Sequence, residues 1–98
     1  MNLEKSYDFT VLVNDTERIV LEELGKRLDT AESERICICQ DCVIDMATLA
    51  LNSLKPMYHA SLLGTMYAHA AESGAMREDV KKAVMKAVEK VKNNPSHA

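Results

Sequence analysis

Three cysteines within six residues, Cys37-Ile38-Cys39-Gln40-Asp41-Cys42, place the strongest constraint on what this chain folds into. They are all the cysteines it has. Side chains so close in sequence cannot be distributed through a core, and the Cys-x-Cys-x-x-Cys spacing lets all three sulfurs face one point. Convergent thiolates gather around a soft or borderline metal, zinc above all, which prefers four tetrahedral ligands. The segment therefore predicts a zinc site. Reduced, buried cysteines at a helix start are the simpler alternative. A redox pair at Cys39 and Cys42 comes third, because it lacks the strand context of a thioredoxin-like site.

The cluster supplies at most three ligands. Asp45 follows Cys42 by three residues, on the same helical face, and is the candidate fourth ligand, either directly or in support of the others. His59, His69 and His97 are further side chains able to ligate. His59 follows a proline turn, His69 sits in an alanine-rich segment and His97 falls in the tail, so the ordinary reading of each is a packed or exposed histidine. A water in the fourth position would leave the open site of a zinc enzyme, which also needs a general base nearby. Little else favours catalysis. No Ser/His/Asp ordering or phosphate-cradling glycine loop is present, and Glu22-Glu23 reads as solvated helix surface.

The 98 residues make one domain, 1–98, and 47% of them are apolar, a globular composition. With one phenylalanine, three tyrosines and no tryptophan, the core is thin. A metal or a second subunit would make up the deficit. The net charge of −3 is unevenly spread. Residues 1–45 hold eleven acids and five bases (5 − 11 = −6), and residues 46–98 hold seven bases and four acids (7 − 4 = +3). That split suits head-to-tail contacts or an anionic ligand near the C-terminal half. An acidic chain with no helix bearing an Arg/Asn/Gln cluster argues against direct nucleic-acid reading. No apolar run reaches the length of a membrane span or a signal sequence, so the expected compartment is the cytoplasm, where clustered thiols stay reduced.

Periodicity predicts an all-α fold: a small four-helix domain with an extended N-terminal arm over residues 1–13. Asn14 caps a first helix over 15–29, with Glu17 reaching back as in a capping box. Val20, Leu21, Leu24 and Leu28 form its apolar face, Glu22, Glu23, Lys26 and Arg27 face water, and Gly25 suggests a close crossing. The second helix starts with the cysteine cluster near Gln40, runs to about 54 and stops before Pro56. Its buried face is Val43, Ala47, Ala50, Leu51 and Leu54. A third helix spans 60–73 with Gly74 as its C-terminal cap. A fourth, over 75–93, carries the stripe Val80, Ala83, Val84, Ala87, Val88 and Val91, and residues 94–98 fray beyond it.

On these residues the chain resembles the late competence development protein ComFB family of bacteria. The resemblance runs through Asn14 and Glu17, the stretch 19–24, then Cys37-x-Cys39-x-x-Cys42-x-x-Asp45. It continues through Ala47, Ala50-Leu51-Asn52, Leu54, Pro56 and Tyr58, and covers residues 13–67. The resemblance implies a small helical cytoplasmic homodimer that holds zinc through Cys37, Cys39 and Cys42. Some members carry a further cysteine downstream that this chain lacks. The family takes its name from an operon of DNA uptake, and related cyanobacterial proteins are receptors for cyclic dinucleotides. Two function classes follow as expectations. The first is a non-enzymatic, zinc-stabilised regulatory or adaptor protein with a protein partner. The second is a dimeric receptor for c-di-GMP or c-di-AMP, with Arg18, Arg27, Arg35 or Arg77 pairing phosphates and Tyr58 or Tyr67 stacking a base.

Overall fold

The computed structural model describes residues 1–61, 63, 64, 66 and 74–95. Its regular elements are α1 (Leu3–Ser6), β1 (Val13–Asn14), α2 (Asp15–Arg27), a 3-10 turn (Leu28–Thr30), α3 (Gln40–Asn52), β2 (Tyr58–His59) and α4 (Gly74–Asn93). Much of the expected third helix lies outside the described residues, as do Tyr67, His69 and His97.

Asn14 does start α2. Its backbone is extended and its carboxamide oxygen accepts from the Thr16 N–H at 3.2 Å. Glu17 is exposed, so the cap bond replaces the reciprocal arrangement the sequence suggested. The same Asn14 oxygen also accepts from the Met57 N–H at 2.7 Å, and the Asp15 N–H donates to the Met57 carbonyl at 2.7 Å. These bonds belong to an antiparallel ribbon in which Val13 faces His59 and Asn14 faces Tyr58. The all-α expectation is corrected to that extent: the fold is mostly helical with one two-stranded ribbon. The ribbon ties the start of α2 to the residues just after α3, and the Thr16 hydroxyl donates to the Lys55 carbonyl across the same junction at 2.8 Å.

Helix α4 is packed against both α2 and α3. Its stripe Val80, Val84, Ala87, Val88 and Val91 is buried, as its i, i+4, i+7, i+8 spacing requires. The partners are Ile19, Val20 and Leu24 from α2, and Cys42, Met46, Ala47 and Ala50 from α3. Ala31 and Ile36 of the connecting segment close the end of this core. No second subunit is needed to cover the α4 stripe.

The buried face of α2 is rotated from the one the sequence suggested. Leu21 is half exposed, whereas Asp15, Thr16, Ile19 and Glu23 are buried. Burying Glu23 is tolerated because Arg77 at the start of α4 donates to its Oε1 at 2.9 Å and to Glu22 Oε2 at 2.8 Å. Gly25 marks no close crossing, since a Cβ there would meet nothing within 4 Å. Gly74 is not a left-handed cap: it lies in α4, and no described glycine has positive φ.

Of residues 1–13, Val13 joins the fold through its pairing with His59. All are exposed, including Tyr7, Phe9 and Val11.

Candidate metal centre

The connection from α2 to α3 delivers the cysteines by a specific local route. After the 3-10 turn, Arg35 takes positive φ (57°), a conformation uncommon for non-glycine residues. The Ile36 N–H donates back to the Ala31 carbonyl at 2.9 Å, and Ile36 is buried. That anchored turn points the next residues at the N-terminus of α3.

Cys39 is the N-cap of α3. Its backbone is extended and its Sγ accepts from the Cys42 N–H at 3.4 Å. The cap sulfur, rather than the usual Ser, Thr, Asp or Asn oxygen, satisfies an otherwise unpaired helix-start donor. Capping places Cys42 one turn on, while Cys37 approaches from the incoming chain. The three sulfurs lie within 4.8 Å of one another. Cys42 is fully buried, Cys37 half-buried and Cys39 exposed.

Sulfurs sharing a tetrahedral zinc at about 2.3 Å stand roughly 3.8 Å apart. A bound ion therefore draws this trio together by no more than about an ångström, within the reach of side-chain rotation. The electrostatics favour a thiolate at Cys39. The Cys42 N–H foremost, then the Cys42 and Cys37 thiols and the Asp41 N–H, hold the Cys39 thiol below its ordinary pKa. The positive end of the helix dipole acts in the same direction. The residues present fit a thiolate-bound zinc ion.

Asp45 sits on α3 three residues after Cys42 and is exposed, outside the trio that converges. His59 is at the other end of the molecule. It belongs to β2, with Nε2 3.7 Å from Asp15 Oδ1, whereas the cysteines sit at the far end of the 13-residue α3, about 20 Å long at 1.5 Å per residue. His59 is therefore no ligand to the cysteines of its own chain.

A second feature escaped sequence reasoning. A cleft of about 780 Å³ opens between the turn after α3 and α4. Leu54, Pro56, Met57, Met76, Val80 and Ala83 form its apolar lining, and Lys55, Lys82 and Lys86 outnumber Asp79 on its walls (3 − 1 = +2). No arginine lines it. Arg18 pairs with Asp15 and Glu22, Arg27 with Glu34, and Arg77 with Glu22 and Glu23. The lysines that line the cleft read singly as solvated helix surface. Only the meeting of α4 with the Pro56 turn makes them neighbours.

Together these features define a class: small, mostly helical domains with a three-cysteine cluster capping an internal helix. The family model for the late competence development protein ComFB matches residues 13–95, and the chain belongs to that family. The match extends past the motifs at 13–67 to include α4. Among solved structures, the chain is similar to the late competence protein ComFB from Bacillus subtilis, at 24% identity and a TM-score of 0.60. The alignment covers 87% of this chain and 94% of that one. No curated protein sequence matches it.

Proposed function

We propose that this protein is a non-enzymatic regulatory or adaptor protein of late competence development, acting as a cytoplasmic homodimer whose fold is stapled by zinc. The observation that carries the reading is the convergence of the Cys37, Cys39 and Cys42 sulfurs at the start of α3. A three-thiolate donor set at a helix terminus suits structural zinc, and Asp45 is the protein candidate for the fourth position. The zinc would fix the chain between the anchored Ile36 turn and α3, which aligns two of the three helices around the core. Family membership supports the competence context. Among the described residues no helix is long and apolar enough to cross a membrane, which agrees with the cytoplasmic assignment. The apolar surface of residues 1–13, left bare in the single chain, supports the dimer.

A second reading, a receptor for c-di-GMP or c-di-AMP, has in its favour the lysine-lined cleft. Against it, the arginines expected to clamp phosphates do not line that cleft, and three of the four engage the chain's own carboxylates.

Native mass spectrometry of tag-free protein, with and without excess c-di-GMP, tests both. The expected result is a dimer carrying one zinc per chain and no nucleotide. Nucleotide bound in a fixed ratio would put the receptor reading first, and a metal-free monomer would refute both.

A further inference from the structure

We propose that the cleft between α4 and the 53–57 turn is the socket for the N-terminal arm of a second copy, so that two chains exchange arms reciprocally. The proposal rests on the homodimer reading and assigns its contact surface.

The arm and the cleft complement each other in three respects. The first is apolarity. Leu3, Tyr7, Phe9, Val11 and Leu12 are each 45–58% exposed within ten residues. A run of this kind marks a surface that another surface covers. The cleft offers Leu54, Met57, Met76 and Ala83, and its volume of about 780 Å³ accommodates several side chains.

The second is charge. The arm carries Glu4 and Asp8 against Lys5, and the cleft carries Lys55, Lys82 and Lys86 against Asp79. Asp8, beside Phe9, thus meets a basic, apolar groove, which favours this pairing over two cleft faces meeting each other.

The third is position. The arm's root is joined directly to the cleft wall, since Asn14 and Asp15 both hydrogen-bond Met57. A two-fold axis beside the β1–β2 ribbon therefore sets each root next to the other chain's cleft, and both contacts form together. Twelve residues span up to about 40 Å, ample for that crossing. The arm is also partly shaped beforehand. Asp8 accepts from the Thr10 N–H at 2.9 Å and the Leu12 N–H donates to the Phe9 carbonyl at 3.0 Å, which reduces the ordering cost of docking. In the single chain the arm leaves its own cleft open.

The test is photocrosslinking from position 9. Phe9 is replaced by p-benzoylphenylalanine in a 15N-labelled and an unlabelled sample, which are mixed, allowed to exchange subunits and illuminated. The expected products join a light arm to a heavy peptide, or the reverse, within 53–57 or 75–86. Deleting residues 1–12 is expected to weaken dimerisation by roughly a hundredfold or more, given the apolar area removed from the contact. The doubly substituted Lys82→Glu, Lys86→Glu variant, altered only at exposed positions, is expected to lose the crosslinks and keep its far-UV circular dichroism. A dimer whose crosslinks fall elsewhere, or only within one isotope label, overturns arm exchange and leaves the dimer reading standing. A monomer at all concentrations overturns both.

Discussion

Removing Arg77 tests how the fold accommodates a buried carboxylate. Glu23 is 6% exposed, and its partners are Arg77 at 2.9 Å and Lys26 at 3.4 Å, the latter a largely solvated side chain. Burial pushes the Glu23 carboxyl up, but the hydrogen bonds from Arg77 and then Lys26 outweigh it and hold the group below the usual carboxylate range. A charge-assisted bond to a buried acceptor contributes about 1.5–3 kcal/mol, and the partial exposure of Arg77 places this one near 2 kcal/mol. Arg77→Ala should therefore cost about 2 kcal/mol at pH 7, plus a smaller amount for the lost side-chain stem. The contact to Glu22 adds little, because that carboxylate is 41% exposed and also bonded to Arg18.

The pH dependence carries the sharper prediction. In the unaltered protein Glu23 is depressed, so its contribution is present above the unfolded value of about 4.3 and is lost as the pH falls through the lower folded value. Without Arg77 the carboxyl is held down less, by Lys26 and Lys81 against burial. The variant's deficit should then shrink on acidification from pH 7 to about 3.5, below the unfolded value. Urea unfolding of the unaltered protein, Arg77→Ala, Glu23→Gln and the double variant, at both pH values, measures this as a double-mutant cycle. Loss of a bound metal on acidification would affect all four alike. A coupling energy below about 0.5 kcal/mol with no pH dependence would show that Arg77 does not stabilise the Glu23 carboxylate.

Three further substitutions probe the frame. Asn14→Ala removes both the α2 cap and the acceptor for the Met57 N–H, and should lower stability by about 1–2 kcal/mol in denaturant unfolding. Gly25→Ala places a methyl in open space on a helix interior and should raise stability by about 0.5–1 kcal/mol in the same assay. Val88→Ala deletes two methyls from a fully buried site on α4 and should cost about 1.5–3 kcal/mol without altering the denaturant slope.

The parts legible in the sequence are those set by local spacing. The start of α2 at Asn14, the start of α3 at Gln40 and the valine stripe of α4 follow from capping chemistry and from a 3.6-residue period. The convergence of the cysteines follows from their separation of two and three residues. The exact role of Cys39, a helix cap as well as a cluster member, was not separable from its neighbours by spacing alone.

What was illegible depends on distant partners. The ribbon pairs two-residue strands forty-odd positions apart, too short for any alternating pattern. Glu23 read as solvated because nothing local announces Arg77, fifty-four residues on. The cleft exists only once α4 packs beside the Pro56 turn. Asp45 was placed on the correct helix, yet its exposure could not be judged before the direction of the incoming chain was known.

The proposed role of the cysteine cluster is to staple the fold through thiolate-bound zinc at the start of α3. Thermal unfolding of tag-free protein, before and after metal removal verified by elemental analysis, tests it most directly. One zinc per chain is expected, with a fall in Tm of at least about 10 °C on its removal, as follows when a few kcal/mol are lost from a domain of this size. Cys39→Ser should reproduce the loss. An unchanged Tm after verified removal, or purified protein that never carried zinc, would contradict it.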